Sequence, residues 1–270
     1  MGAIARTDLH FNFLKSVIFR IDFQGVFEPE MEKILTLVKP LVKSKGFSRY
    51  LRKKNNEIQI NVGDLETPES PLSKLVKSQE IHSFINEDRG YVLDLSSSFV
   101  CLNINSTAYT PFEDYCAIIS EIANIYKENI DFISVNRVGI RKINVCMLEK
   151  KERINEFFSS DYFGYFNAIQ NTNTVSSNRK DIFVIDVYKV NLSCNIEQGL
   201  AENRTLYKVS LDADIYVDDV SVIEKGINFG VMNDILFDVY VSSLTEKFRA
   251  ALSGDDETLF EGIIGVERNE

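Results

Sequence analysis

The stretch FVCLNIN at residues 99–105, followed by YTPFE at 109–113 and NRVGIRKIN at 136–144, decides the fold class. Alternating apolar and polar residues in the first and last segments predict β-strands. The middle segment is typical of a helix start, with Thr110 as N-cap, Pro111 in the first helical position and Glu113 completing a capping box. The apolar residues that follow recur at helical spacing, at Tyr115, Ile118, Ile119, Ile122 and Tyr126. The stretch therefore predicts a strand–helix–strand unit.

The segments before this unit extend it. Their apolar patterns predict a strand at Phe13–Phe23, a helix that has Pro29 near its start and Gly46 past its end and that Pro40 kinks or splits, a strand at Glu57–Val62, a helix at Leu72–Asn86 and a strand at Tyr91–Ser97. Together with the long strand at Ile133–Met147, this order is that of the ferredoxin-like fold, built from split β-α-β units, with one extra strand. We therefore predict an α+β protein whose residues 1–149 form a ferredoxin-like part.

Residues 150–270 are expected to form a second part, either separate from the first or continuous with it. Its predicted elements are a helix at 150–169, a β-hairpin of Ile182–Cys194 and Leu206–Val217, and one long helix at Asn228–Leu252. The polar connector Asn171–Lys180 is the best candidate for a boundary. The acidic tail from Asp255 is expected to fray unless its apolar residues Leu259, Phe260, Ile263 and Ile264 dock.

A few residues of the central stretch form a motif. The chain resembles a sporadically distributed family of uncharacterised bacterial proteins in which a helix opens with Tyr-Thr and a strand reads Arg-x-Gly-Leu-Arg-Tyr-Ile-Asn. The matching residues here are Tyr109, Thr110, Arg137, Gly139, Ile140, Arg141, Ile143 and Asn144, with Lys142 in place of the usual aromatic residue. A weaker match is Leu211–Tyr216. The resemblance implies a shared two-part fold and no particular reaction.

Composition favours a cytoplasmic protein. The 30 basic and 40 acidic residues give a net charge of −10, which opposes non-specific binding to nucleic acid or to an anionic membrane. The sequence shows neither a signal peptide nor a membrane-spanning run. The four cysteines, Cys101, Cys116, Cys146 and Cys194, stand in apolar contexts without a C-x-x-C pair. We therefore expect free thiols in a reducing compartment.

The sequence predicts no catalytic residue, metal site or cofactor. His10 and His82 are the only histidines and stand far apart, so neither a zinc site nor a histidine-activated nucleophile is indicated. Asp212 and Asp214 are two residues apart on a predicted strand and so share a face, where they could hold Mg²⁺ for phosphodiester chemistry. The alternative is that they form the solvated face of an antiparallel sheet.

A basic stretch contrasts with the acidic chain. It contains Lys43, Lys45, Arg49, Arg52, Lys53 and Lys54, with Phe47 and Tyr50 between them. Such a pattern could bind phosphates and stack a base, which would make the chain a nucleotide or nucleic-acid binder. The alternative is a solvated helix end and hairpin, where cations complement the helix C-terminus.

Arg137 and Arg141 flank Gly139 on one predicted strand and should share a face. They could clamp a carboxylate or phosphate, or they could pair with acidic side chains on neighbouring elements. We favour ion pairing. The leading functional hypothesis is a non-enzymatic protein that binds a protein partner, in a defence or toxin-neutralising module, as the sporadic occurrence of the resembling family suggests. The alternatives are a nucleotide or nucleic-acid binder and, third, a metal-dependent nuclease.

Overall fold

The structure is a computed structural model that describes residues 5–58, 76–105, 111–164, 175–201, 204–254 and 257–269. It is a mixed α+β protein with a mostly antiparallel sheet, as the sequence predicts for the fold class. The strands are β1 Phe11–Asn12, β2 Leu14–Gln24, β3 Arg49–Ile58, β4 Val76–Asn86, β5 Tyr91–Leu95, β6 Phe99–Asn105, β7 Ser134–Leu148, β8 Ser176–Ile185, β9 Tyr188–Ala201, β10 Arg204–Val217, β11 Ile263–Ile264 and β12 Glu267–Arg268. The helices are α1 Glu28–Ser44, α2 Phe112–Asn129, α3 Glu152–Phe157, α4 Val220–Ile223, α5 Phe229–Ser242 and α6 Glu246–Ser253.

The chain divides into two compact units, one formed by Phe19–Val138 and the other by Met1–Ile18 together with Gly139–Glu270. Strands β2 and β7 contribute residues to both units. This division differs from the one predicted at residues 149 and 150. The difference arises because β7 is a single strand of 15 residues, so that one continuous element serves both units.

In the Phe19–Val138 unit, the strand order is β3-β4-β5-β6-β2. Helices α1 and α2 contact each other, and α2 contacts β6. Aromatic side chains join the helices to the strands. The ring of Tyr115 meets Tyr91 edge-on at 5.5 Å, and the Tyr126 hydroxyl donates to the Ser96 carbonyl oxygen at 3.2 Å. One face of these strands is therefore a packed apolar layer, which fixes the direction in which the remaining side chains point.

In the other unit, the strand order is β7-β10-β9-β8, and β11 pairs with β7. The residues of β10 alternate between buried and partly exposed, from buried Val209 to buried Val217, because helix α5 packs against this strand. An aromatic cluster anchors the helices of this unit: the Phe13 ring stacks on Phe248 at 5.7 Å and meets Phe158 edge-on at 5.8 Å.

Two elements of the first half differ from prediction. The helix predicted at Leu72–Asn86 is wrong for residues 76–86, which form β4, while residues 72–75 lie outside the described part of the chain. Strand β4 pairs with β3 on one side and β5 on the other, and these two ladders outweigh a weak local helical pattern. The strand predicted at Glu57–Val62 begins earlier, at Arg49, and its described residues end at Ile58.

The two helices of the first half lie close to where they were predicted, with differences at Pro40 and at the start of α2. Helix α1 runs through Pro40 without splitting, because Val38 and Val42 are buried on either side of it. Helix α2 begins at Phe112, with Pro111 at the cap position rather than in the first turn. The motif residues Tyr109 and Thr110 lie outside the described residues, so the predicted Thr110 cap stays a prediction.

In the second half, two elements that were each predicted as one are two in the structure. The strand predicted at Ile182–Cys194 turns back at Asp186, which has a φ of +54°, and so supplies both β8 and β9. The single helix predicted at Asn228–Leu252 is two, since Thr245 caps α6 by accepting a hydrogen bond from the Phe248 amide. Asn228 caps α5 in the same way, through the Val231 amide.

Three further segments differ in extent from their predictions. The helix predicted at residues 150–169 is limited in the described residues to Glu152–Phe157. The predicted connector Asn171–Lys180 contains the start of β8 at Ser176. The tail docks through β11 and β12, and the Phe260 ring lies 4.8 Å from that of Phe11.

Candidate functional site

Arg141 forms a two-pronged ion pair with Asp212. Its Nε lies 2.7 Å from Oδ1 and its Nη2 lies 2.5 Å from Oδ2. The pair joins β7 to β10, and Asp212 is the less exposed partner. The hydrogen bond to Asp212 raises the pKa of Arg141 from its ordinary value. This is the ion pairing that we favoured from the sequence, and it occupies both oxygens of the carboxylate.

Arg137 meets a different carboxylate. Its Nη1 lies 3.4 Å from Oδ2 of Asp22, whose Oδ1 accepts from Arg20 Nε at 2.7 Å. Arg137 and Asp22 are each about one quarter exposed. Arg137 belongs to one compact unit and Arg141 to the other. The structure therefore gives each arginine its own acidic partner, and an anion-binding role for either one stays a prediction.

Asp212 and Asp214 share a face of β10, as predicted, and lie opposite Ser193 and Asn191 of β9. The Asp212 carboxylate is engaged by Arg141, so it is not available as a ligand while that pair is formed. Within the described ranges, no group of three or more His, Cys, Asp or Glu side chains could hold a metal ion. The arrangement favours the solvated face of a sheet over a magnesium site.

The basic stretch lies partly at the end of α1 and partly on β3, which is the first strand in the order of its unit. Arg49 Nη1 lies 3.0 Å from Glu87 Oε1, and Arg52 Nη2 donates to Glu80 Oε2 at 2.7 Å. Lys53 and Lys54 are exposed. Lys45 Nζ lies 3.1 Å from Glu121 Oε1. Because three of its cations already have carboxylate partners, the stretch is a weaker phosphate site than its sequence suggests.

A tyrosine–histidine pair supports the same strand. The Tyr50 hydroxyl lies 2.8 Å from His82 Nδ1, and the two rings stack with centroids 6.1 Å apart. Burial, followed by the nearby Arg52 cation, lowers the pKa of His82. The imidazole is therefore favoured in its neutral form, in which it can share one hydrogen bond with Tyr50. The pair fixes β3 against β4 and leaves the outer side of Tyr50 exposed.

Strand β8, which is last in the strand order of the other unit, differs from β3 in the side chains that it exposes. Strand β8 pairs with β9 in a register that runs from Ser176 opposite Glu197 to Ile185 opposite Tyr188. The Gln198 amide donates to the Val175 carbonyl oxygen at 2.8 Å, which fixes the odd-numbered residues as those bonded to β9. The backbone groups of the even-numbered residues, including Lys180, therefore point away from β9.

The second half of β8 and its turn expose apolar side chains on this open edge. Ile182 is 74% exposed and Val184 is 62% exposed, and Ile185 and Val187 are also exposed. Open strand edges are usually protected by lysines, prolines or bulges, because an unprotected edge pairs with other chains. We call the outward side of residues 180–187 the β8 edge. Among the residues that the structure describes, no strand pairs with this side of β8, and its exposed apolar residues are those of a surface for strand addition.

The sequence analysis missed this edge because Ile182–Cys194 was predicted as a single strand. A signal was present, since the sequence I-F-V-I-D-V at residues 182–187 is apolar on both faces up to an aspartate of the kind that favours turns. The turn pair Asp186 and Val187 does not resemble the Asn-Gly pair that most strongly marks a two-residue hairpin.

The sequence analysis also missed Lys142. This residue lies on the same face of β7 as buried Ile140 and Asn144, and its Nζ donates to Asn233 Oδ1 of α5 at 2.5 Å. Burial and the Arg6 guanidinium lower the pKa of Lys142 to about 7, while Asp234 acts in the opposite direction. Lys142 thus makes a polar contact between strand β7 and helix α5.

Burial makes the four cysteine thiols weak acids. All four cysteines are free, as predicted. Burial raises the pKa of Cys101 and Cys116 to about 11, and that of Cys146 and Cys194 to about 12. Because the thiolate is the nucleophilic form, these values do not favour cysteine catalysis at neutral pH.

Comparisons with known proteins add little to this geometry. No protein-family model matches the chain, and neither does any curated protein. A solved structure with some likeness is that of DynU16, a protein of the dynemicin biosynthetic locus, which is 10% identical over 88% of this chain and 97% of its own, with a TM-score of 0.19. A likeness at this TM-score carries no argument. No helix in the described part of the chain is both long enough and apolar enough to cross a membrane.

Proposed function

We propose that this chain is a non-enzymatic protein that binds a protein partner by accepting a partner strand along the β8 edge. The observation that carries the proposal is the exposure of Ile182 and Val184 on a strand whose outward backbone groups face away from β9. Main-chain hydrogen bonds would supply affinity, and the side chains that alternate along the edge would supply specificity.

The edge specifies the chemistry of its partner. Lys180, Ile182 and Val184 alternate along it, so the matching strand carries two apolar residues and an acidic residue opposite Lys180. Proline at a position that must donate a hydrogen bond would exclude a partner sequence. We further propose that the partner is met in the cytoplasm as part of a defence or toxin-neutralising module, and that Phe19–Val138 is a ferredoxin-like scaffold with an enlarged strand meander.

A synthetic strand tests the proposal. A fluorescent ten-residue peptide with alternating valines and one glutamate placed to face Lys180 should bind saturably, as measured by anisotropy. The same peptide with N-methyl groups on the amides that face β8 should not bind, because it cannot form the ladder. Binding should also be lost with Ile182→Lys/Val184→Lys. Equal binding of both peptides, or of both proteins, would contradict strand addition at this edge.

A nucleotide or nucleic-acid binder is the second candidate, and the exposure of Lys53 and Lys54 on β3 is what favours it. Phosphate contacts release counterions and make affinity fall steeply with salt. Binding of a single-stranded oligonucleotide that falls about tenfold or more between 50 and 200 mM salt, and that is lost in Lys53→Ala/Lys54→Ala, would favour this candidate over the first.

A further inference from the structure

We propose that a second copy of this chain occupies the β8 edge, so that the protein forms a two-fold symmetric dimer by antiparallel pairing of β8 with β8. This inference deepens the proposed function and rests on the same edge. The even-numbered residues Lys180, Ile182, Val184 and Asp186 are complementary to themselves when the strand is reversed.

The backbone allows such a pairing. The outward backbone groups belong to even-numbered residues, as the bond from Gln198 to Val175 fixes. A two-fold axis at Phe183 places Ile182 opposite Val184 of the second copy, and both residues direct their backbone groups outward. The contact is isologous, since each apolar pair occurs twice around the axis.

The charges select this register among the neighbouring ones. With the axis at Phe183, Lys180 lies opposite Asp186 of the second copy, the turn residue that directly follows β8, again twice. An axis at Asp181 would place two Asp181 side chains opposite each other, and an axis at Lys180 would do the same with two lysines. An axis at Ile182 would place Lys180 opposite Val184. Like charges directly opposite destabilise a strand pair, and the Ile182 axis leaves Lys180 opposite an apolar residue instead of an acid, so the Phe183 axis is the favoured one.

The remaining residues are compatible with the pairing. Asp181 keeps its ion pair with Arg179, whose Nε lies 2.6 Å from Asp181 Oδ2 within the same strand. Asp186 already has a φ of +54° in the hairpin turn and is exposed, so its carboxylate is available at the surface. Four exposed apolar side chains, Ile182 and Val184 from each copy, would lose solvent contact together.

The pairing has two consequences for binding. The dimer would cover the edge that the proposed partner strand needs, so that partner and second copy compete for it. The contact is also short, at about seven residues per strand, and interfaces of this size are usually weak and concentration-dependent. Dilution or a better-matched strand would therefore free the edge.

A charge exchange tests the register. Sedimentation equilibrium of the full chain should show a concentration-dependent dimer. Lys180→Asp places acid opposite acid and Asp186→Lys places lysine opposite lysine, so each variant alone should dimerise at least about tenfold more weakly. An equimolar mixture of the two variants should recover the dimer, because each acid then meets a lysine.

The charge-exchange variants need folding controls. Asp186→Lys puts a lysine at positive φ, so circular dichroism and the thermal midpoint must show that it folds, and Asp186→Asn removes the charge without that strain. Folded variants whose mixture recovers nothing, or charge changes without effect on the dimer, would overturn the register. A wild-type chain that stays monomeric up to about 1 mM would overturn self-pairing. If that monomer binds the synthetic strand, the proposed function stands; if it does not, both fail.

Discussion

The two strands that end the strand orders of their units, β3 and β8, treat their open edges in opposite ways. Strand β3 presents Arg49, Arg52, Lys53 and Lys54 within its first six residues, whereas the second half of β8 presents Ile182 and Val184. A row of cations hinders the approach of another strand, since each side chain would lose its hydration on pairing. The contrast teaches that the basic stretch is best explained as protection of an edge, and the missing protection in the second half of β8 is the reason for which we propose that this edge binds.

The largest effect is expected from giving β8 the character of β3. Ile182→Lys/Val184→Lys should weaken self-association, and binding of the synthetic strand, by about a hundredfold or more, because two lysines on each copy would have to be desolvated on pairing. Folding should be affected by no more than about 0.5 kcal/mol per site, since both side chains are exposed. Sedimentation equilibrium and chemical denaturation measure the two quantities.

The matched control is Leu200→Lys, which adds a lysine at another exposed apolar residue, on β9. It should leave association unchanged. If Leu200→Lys weakens the dimer as much as the β8 variant does, general surface hydrophobicity rather than the β8 edge drives association.

A smaller effect is expected from the reverse change, which gives β3 the character of β8. Lys53→Val/Lys54→Val should make the chain self-associate more readily, because it removes two of the cations that protect the β3 edge. The increase should not exceed about tenfold, since Arg49 and Arg52 still protect part of the strand. Light scattering against concentration measures the change. Lys39→Val/Lys43→Val on α1 is matched in charge, and equal association of the two double variants would show that lost net charge, rather than an exposed edge, is the cause.

The smallest effect is a pH dependence of stability that we expect at β3, which His82 supports through Tyr50, and not at β8. Its pKa is lowered on folding, so between its ordinary value near 6.5 and the lower folded value the unfolded chain binds more protons than the folded one. The stability contributed by neutral His82 is thus present above about pH 6.5 and is lost as the pH falls. Hydrogen exchange, corrected for intrinsic rates, should show β3 amides losing protection by a few-fold between about pH 7 and 5.

The control for this prediction is His82→Gln, which keeps a group able to bond Tyr50 and removes the titration. The acid-dependent loss at β3 should disappear in that variant, while the amides of β8 should behave alike in both proteins. A loss of protection that persists in His82→Gln would assign the pH effect to another group.

The sequence predicted what short-range patterns decide. The strands at Tyr91–Leu95 and Phe99–Asn105 and helix α2 were predicted at nearly their observed positions, because their apolar periodicity is long and regular. Local patterns could not predict β4, because its strand conformation depends on backbone pairing with β3 and β5, which local propensity does not encode. The α5–α6 break depends on a cap at Thr245, whose side chain also donates to the Glu156 carbonyl oxygen, a contact between residues far apart in sequence.

For the candidate site, the sequence predicted the charges and not their partners. It placed Arg137 and Arg141 on one strand and favoured ion pairs, but only the register of β7 with its neighbours decides that Asp212 and Asp22 are the acids. The β8 edge was not foreseen, because an edge is a property of strand order. No periodicity within β8 indicates that, in the described part of the chain, β9 is its one strand neighbour.

The central claim, that β8 rather than β3 is the binding edge, is tested most directly by amide hydrogen exchange of the wild-type chain at low and high protein concentration. We predict that the outward amides of Ile182 and Val184 exchange more slowly as the protein concentration rises, and more slowly still when the synthetic strand is added. The amides of Arg49–Lys54 should not change. Protection that grows at β3 while Ile182 and Val184 stay unprotected would contradict it.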